Sequence, residues 1–375
     1  MHLYLHIPFC KKACHYCNFH FSTSMRLKDA MLDALLLELE MQRDYLDGAE
    51  LTTVYFGGGT PSQLPVGDLV RIFEQVNRLH RIAPDAEITL EANPDDLDAA
   101  YLADLRCYTP VNRLSIGIQS FSDADLQWMN RAHSAEHART CLEAAHTAGF
   151  DQMTVDLIYG APTTSDAQWA ENLRIVFEHG VPHLSCYCLT VEEGTALGNW
   201  VAKGKAPAVD EDKAARQFDY LLEASAGAGY EQYEISNFAR PGHYSRHNSS
   251  YWQGEPYLGI GPSAHSYKGM TRQWNVANNA LYIRALEAGQ IPFESEALLP
   301  EQRYNELVMT GLRTSWGLDT ANLDRLGPAF RPYFERQAEP FLAAGTLLRK
   351  DEVYYLSATG KFLADGIAAS LFWDK

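Results

Sequence analysis

Three cysteines stand in the run Cys10-Lys11-Lys12-Ala13-Cys14-His15-Tyr16-Cys17, directly after a short apolar segment. Thiolates bind soft and borderline metals, and an ordinary cubane iron–sulfur cluster is saturated by four of them. Three from one tight loop would hold three irons and leave the fourth open to a small chelating ligand. Open metal positions are where chemistry happens; closed ones are structural. The same cysteines with His15 or His20 as a fourth ligand would suit a tetrahedral zinc site. The triplet alone leaves both readings open.

Elements that could position such a loop follow from periodicity. Strand-like and helix-like segments alternate through the first two-thirds, the pattern of β-α units around a parallel sheet. Strands are expected at 3–9, 53–56, 87–91, 113–119, 152–158 and 183–189, with helices near 30–45, 66–79, 98–106, 134–148 and 166–178. In the first helix Leu32, Leu35, Leu36 and Leu39 fall on one face, as an outer helix packed on a sheet requires. Strand parity says more, because successive side chains point to opposite faces. Ile88 and Leu90, then Leu114, Ile116 and Ile118, then Met153, Val155 and Leu157 share one face. The other carries Thr89 and Glu91, Ser115, Gly117 and Gln119, and Thr154 and Asp156. Small and polar inner residues describe a cavity, with Glu91, Gln119 and Asp156 near the strand ends where β/α barrels build sites.

Beyond residue 190 the pattern loosens. A helix near 213–226 leads to an aromatic segment at 230–238 that could add an edge strand, and 240–279 is rich in Gly, Pro, Ser and His and is expected to be loops. The last part, with helices near 300–314, 320–326 and 333–344, a hairpin at 347–356 and a terminal helix, suggests a winged-helix-like order. The domains are therefore placed at 1–235, 236–299 and 300–375. The fold class is α/β, a partial (β/α)6 barrel with a small C-terminal α+β domain.

Bulk properties exclude several classes. Lys and Arg total 31 against 48 Asp and Glu, a formal charge of −17, which argues against nucleic acid as a partner. No stretch approaches the roughly 20 apolar residues of a membrane span, and no signal peptide is evident, so a cytoplasmic location is expected. A membrane-docking surface would leave no compositional trace. Seven cysteines without a paired framework argue against disulfides, and Cys107, Cys141, Cys186 and Cys188 read as small buried residues.

The second strand ends in Phe56-Gly57-Gly58-Gly59-Thr60-Pro61, where absent Cβ atoms let backbone approach a ligand closely. With the cysteine triplet one β-α unit earlier, the chain resembles the radical SAM superfamily. The resemblance implies a [4Fe-4S] cluster on Cys10, Cys14 and Cys17, with S-adenosylmethionine on the open iron and Gly58, Gly59 and Thr60 against its methionyl amino group. Reductive cleavage of the sulfonium would then release a 5′-deoxyadenosyl radical. Glu91 in Glu91-Ala-Asn-Pro94, Gln119 in Gly117-Ile-Gln119-Ser-Phe121, Arg131 after Asn130 and Asp156 in Asp156-Leu-Ile-Tyr159-Gly160 continue the match. They resemble the oxygen-independent coproporphyrinogen III oxidase subfamily, which implies cofactor contacts: Arg131 on the methionyl carboxylate, Asp156 on ribose hydroxyls. Tyr4 and Tyr16 would pack on cofactor and cluster.

The oxidase carries a fourth cysteine two positions after the triplet and an N-terminal extension; here Phe19 stands in that place and nine residues precede Cys10. Both departures resemble instead the HemW group of haem chaperones, as does Arg246-His247-Asn248-Ser-Ser-Tyr251-Trp252, which matches that group's H-N-x-x-Y-W motif. The resemblance implies that His247, Tyr251 and Trp252 take part in binding haem. His265, in Gly259-Ile-Gly261-Pro-Ser-Ala-His265, lies where the subfamily closes its cavity. Haem and an acceptor haemoprotein are thus the expected partners, no electron donor is named, and no residue is assigned a catalytic role. Porphyrinogen decarboxylation is the alternative activity.

Overall fold

The computed structural model describes residues 1–373. Strands β1 (His2–Ile7), β2 (Leu51–Gly58), β3 (Ile82–Ala92), β4 (Arg113–Gln119), β5 (Met153–Tyr159) and β6 (His183–Cys188) lie side by side in chain order, every neighbouring pair parallel. Parallel neighbours need crossovers, and these are α1 (Lys28–Met41), α2 (Val66–Leu79), α3 (Ala99–Tyr108), α4 (Asp123–Trp128) with α5 (Ala135–Thr147), and α6 (Asp166–Glu178). Side-chain caps start three of them. Asp98 accepts from the Tyr101 amide, Ser165 from that of Gln168, and Ser134 forms a reciprocal box with His137.

The parity read from the sequence is realised. Ile88, Leu90, Leu114, Ile116, Ile118, Met153, Val155 and Leu157 are buried in one continuous core under the helices. Each such aliphatic side chain contributes about 1.5–3 kcal/mol on burial. Glu91, Ser115, Gly117, Gln119 and Asp156 face a cavity on the other side of the sheet. The result is a partly closed α/β barrel rather than a closed one, because the sheet continues past both ends of the six-strand run.

That continuation holds the helix and edge strand expected at 213–238 and departs from the loops expected after them. After α7 (Ala196–Ala202) and α8 (Glu211–Gly227), the hairpin β7 (Glu231–Glu234) and β8 (Asn237–Ala239) adds antiparallel to β6. The stretch expected to be loop-rich holds α9 (Arg246–Gln253), β9 (Tyr257–Ile260), β10 (His265–Lys268) and β11 (Thr271–Asn275), followed by α10 (Asn279–Glu287) and β12 (Phe293–Ala297). β9 pairs parallel with β1, and the final order is β12-β11-β10-β9-β1-β2-β3-β4-β5-β6-β8-β7. Glycine makes the tight β9–β10 turn possible: a Cβ on Gly259 would lie 2.0 Å from the His265 carbonyl oxygen.

The C-terminal module comprises α11 (Pro300–Arg313), β13 (Leu318–Asp319), α12 (Thr320–Leu326), α13 (Phe330–Ala343), β14 (Leu347–Lys350), β15 (Val353–Leu356), α14 (Ala358–Lys361) and α15 (Ala364–Ser370). Tyr304, Val308, Leu323, Phe334, Tyr354 and Leu371 belong to a second core that is separate from the barrel's. Three helices followed by a hairpin in a β13-β15-β14 sheet give the winged-helix-like order expected. Among the described residues, no helix is long and apolar enough to cross a membrane.

Candidate cluster loop and cofactor cavity

The loop after β1 is closed at its neck. The Cys10 amide donates to the Ser22 carbonyl at 3.0 Å, and the Ser22 amide to the Pro8 carbonyl at 2.9 Å. The same neck is zipped to the glycine loop that leaves β2. Gly59 N–H donates to the Ile7 carbonyl at 2.9 Å and Thr60 N–H to that of Phe9 at 2.7 Å. Only glycine fits at 59, since a Cβ would sit 2.6 Å from the Phe9 oxygen and 2.8 Å from its nitrogen. Gly58, at φ +108°, lies against the His6 ring, where a Cβ would approach to 2.6 Å. Cysteine loop and glycine loop are thus one rigid unit.

Cys10, Cys14 and Cys17 are free thiols, and all three line one cavity of about 1090 Å³. Thr60 Oγ1 lies 3.4 Å from the Cys10 sulfur, and Arg131 Nη1 is 3.4 Å from that of Cys14. Burial pushes the Cys10 thiol up to about 11, against the hydrogen bond from Thr60, and burial also raises Cys17. A metal that binds here therefore displaces protons. Among the described residues, no three His, Cys, Asp or Glu side chains converge on a single-ion site. One zinc needs all its thiolates about 2.3 Å from a common centre; a cubane takes each thiolate on a different iron. The donor set, three free thiols on one loop, fits a cubane with one iron left open.

The rest of the inner wall is built from strand ends. Arg131 is held by Asn93 Oδ1 and the Gly117 carbonyl, each at 2.6 Å, while its buried Nε has no partner. Gly117 makes room, because a Cβ there would lie 3.2 Å from Arg131 Nη2. Gln119 turns into the cavity in the left-handed region, φ +68°, an uncommon conformation for a residue with a Cβ. The Tyr55 hydroxyl donates to Glu91 at 2.8 Å. Burial, reinforced by the charge of Asp156, still pushes Glu91 up to about 7. Burial likewise raises Asp156 to about 7, against hydrogen bonds from Ser185 and Ser115 and the positive charge of Arg131. An unpartnered guanidinium N–H, two reluctant carboxylates and a side-chain-free cradle suit a zwitterion carrying hydroxyls, the chemistry of S-adenosylmethionine.

Eleven expected residues line this cavity together: the three cysteines, Tyr16, Gly58, Gly59, Thr60, Glu91, Gln119, Arg131 and Asp156. Tyr4 lies outside the lining, stacked on Tyr55 at 6.1 Å with its hydroxyl 3.1 Å from His6 Nδ1.

The expected haem-binding residues lie elsewhere. His247 is fully buried on α9, with Nδ1 2.6 Å from Thr53 Oγ1, Nε2 2.8 Å from the Tyr251 hydroxyl, and its ring stacked on Tyr55 at 4.8 Å. Both ring nitrogens are spent, and burial holds the imidazole neutral, well below the usual histidine range. In this arrangement the motif clamps α9 to β2 and presents no nitrogen to iron. Trp252 lies under the Arg313 guanidinium at 5.3 Å. His265, on β10, stacks on Trp274 at 6.1 Å, away from the cavity lining. The 236–299 stretch, expected to close the cavity, contributes only Ser236 to its lining; the C-terminal module contributes Phe341 and the 361–367 segment. Nothing in the local sequence of that segment signals such a position.

Known proteins share this chain's sequence pattern and fold. The radical SAM superfamily profile matches residues 4–176, and that of the HemN C-terminal domain matches 298–363. A protein of Mycobacterium tuberculosis H37Rv named heme chaperone HemW is 37% identical over 98% of this chain and 94% of its own. The Bacillus subtilis protein of the same name is 31% identical over 97% of each. The solved structure of Escherichia coli coproporphyrinogen III oxidase HemN, described as a radical SAM enzyme, superposes with a TM-score of 0.85 over 99% of this chain and 89% of that one. At 23% identity that likeness shows the shared fold.

Proposed function

Because this chain belongs to the HemW family of the radical SAM superfamily, we propose that it is a haem chaperone that carries a [4Fe-4S] cluster with S-adenosylmethionine and passes haem to an acceptor haemoprotein. The observation that carries the cofactor half of this reading is a single cavity in which three free thiols face the Gly58–Thr60 cradle and the Arg131 guanidinium. When bound, the cluster would supply an electron and one open iron.

The chain's own residues do the positioning. Arg131 is held in place through Nη2 by Asn93 and Gly117, so that it offers a carboxylate its positive charge rather than a free fork. The Gly58–Thr60 backbone lines the same cavity as the three cysteines, where it would meet the amino group. Asp156, desolvated and close to neutrality, gains most from hydroxyl donors that compensate its charge. Phe19, where the oxidase has its fourth cysteine, lines the cavity with an apolar ring and favours the chaperone over decarboxylation.

Anaerobic reconstitution followed by iron, sulfide and haem titration tests the reading. One cubane per chain and stoichiometric, Soret-absorbing haem are expected. Zinc without sulfide, or no Soret change on adding haem, would overturn it.

A further inference from the structure

The cavity stands at the upper end of ligand-pocket size. Ligand pockets usually run to roughly 300–1,000 Å³, and this one reaches about 1090 Å³. Its wall also changes character. Around Arg131 and Asp156 it is polar, whereas Phe218, Phe341, Phe362 and Leu363 make an apolar region where the C-terminal module meets the barrel. Phe19, Phe362 and Leu363 are 69%, 41% and 54% exposed. Large apolar side chains gathered at a cavity in this way mark a surface that something covers.

One cation in that region has no counter-ion. Lys361 Nζ donates to the neutral Gln232 Oε1 at 2.7 Å, and among the described residues no carboxylate lies within ion-pair distance of it. Its neighbour in the lining, Arg313, is by contrast consumed by Glu234 and Asp365. Burial pulls the Lys361 ammonium below the usual lysine range, a cost that an anionic partner removes. A flat apolar body with a carboxylate on its edge satisfies both features.

We infer that haem is seated in this outer part of the cavity, its macrocycle against Phe19, Phe362 and Leu363 and one propionate paired with Lys361, rather than on the His247 motif. The inference rests on the haem-chaperone reading and adds the place. It also accounts for a motif whose imidazole nitrogens are both engaged by Thr53 and Tyr251.

The test is haem titration of the full-length, cluster-loaded protein by Soret absorbance, for wild type, Lys361→Ala, Lys361→Arg and Phe362→Ala. Loss of a charge-assisted hydrogen bond predicts at least about tenfold weaker haem binding in Lys361→Ala. Lys361→Arg should restore most of it, and cluster content should be unchanged in all four. Haem dimethyl ester, which has no propionate charge, should bind wild type and Lys361→Ala equally. If wild type binds haem and Lys361→Ala binds it as tightly, the location is overturned while the chaperone reading stands. If wild type binds no haem, the chaperone reading itself fails.

Discussion

Replacing Asp156 by asparagine should stabilise the cofactor-free protein at alkaline pH. Burial raises this carboxyl to about 7 from an ordinary 3.8. At about 1.4 kcal/mol per tenfold change in acidity, the ceiling is about 4 kcal/mol. Asp156 opens partly onto the cavity, and solvent there screens the penalty to roughly 2 kcal/mol. The sign follows from linkage. The folded pKa lies above the unfolded one, so the folded chain keeps a proton that the unfolded chain releases between about pH 4 and pH 7. Stability therefore falls as pH rises through that window and is flat above it. In denaturant titrations of the metal-free protein, Asp156→Asn should exceed wild type by about 1–2 kcal/mol at pH 8 and come closer to it at pH 5. S-adenosylmethionine, by donating ribose hydroxyls to the carboxylate, should shrink the difference for the loaded protein. Equal destabilisation of the variant at both pH values would refute the reasoning, because it would mean that the serines already satisfy an ionised Asp156.

Other expectations follow from the same geometry. Gly59→Ala places a Cβ within 2.6 Å of the Phe9 oxygen, so it should break the zipper between the two loops. About 1–3 kcal/mol of stability and most of the cluster yield should be lost, measured by denaturation and by iron content. Arg131→Lys keeps the charge but loses the planar group that Asn93 and Gly117 hold in place, and isothermal titration should show S-adenosylmethionine binding at least about tenfold weaker. Ile116→Ala, in the fully buried outer face of β4, should cost about 2–5 kcal/mol without altering the ligand contacts.

How much could be read from the chain depended on the range of each signal. Period-two alternation in β3, β4 and β5 is local, and it correctly separated Ile116 and Val155 from Ser115 and Asp156. The candidate cofactor residues are legible through the family resemblance, and Glu91 and Gln119 also through their positions at strand ends. What escaped was set by distant partners. β9 has four residues and joins the barrel by pairing in parallel with β1, some 250 residues earlier in the chain. Its glycine and the surrounding polar residues look like loop. The chemistry of His247 looked available because nothing near it in sequence reveals Thr53 waiting across the sheet. Lys361 and Phe362 carry no motif at all; they matter because the C-terminal module packs its 361–367 segment onto the cavity.

The vacant iron corner is the claim on which the cofactor reading stands, and electron paramagnetic resonance of the reduced, anaerobically reconstituted protein addresses it directly. The account predicts a [4Fe-4S] signal that shifts when S-adenosylmethionine is added and disappears in Cys14→Ser. A cluster signal that ignores S-adenosylmethionine in the wild type would contradict it.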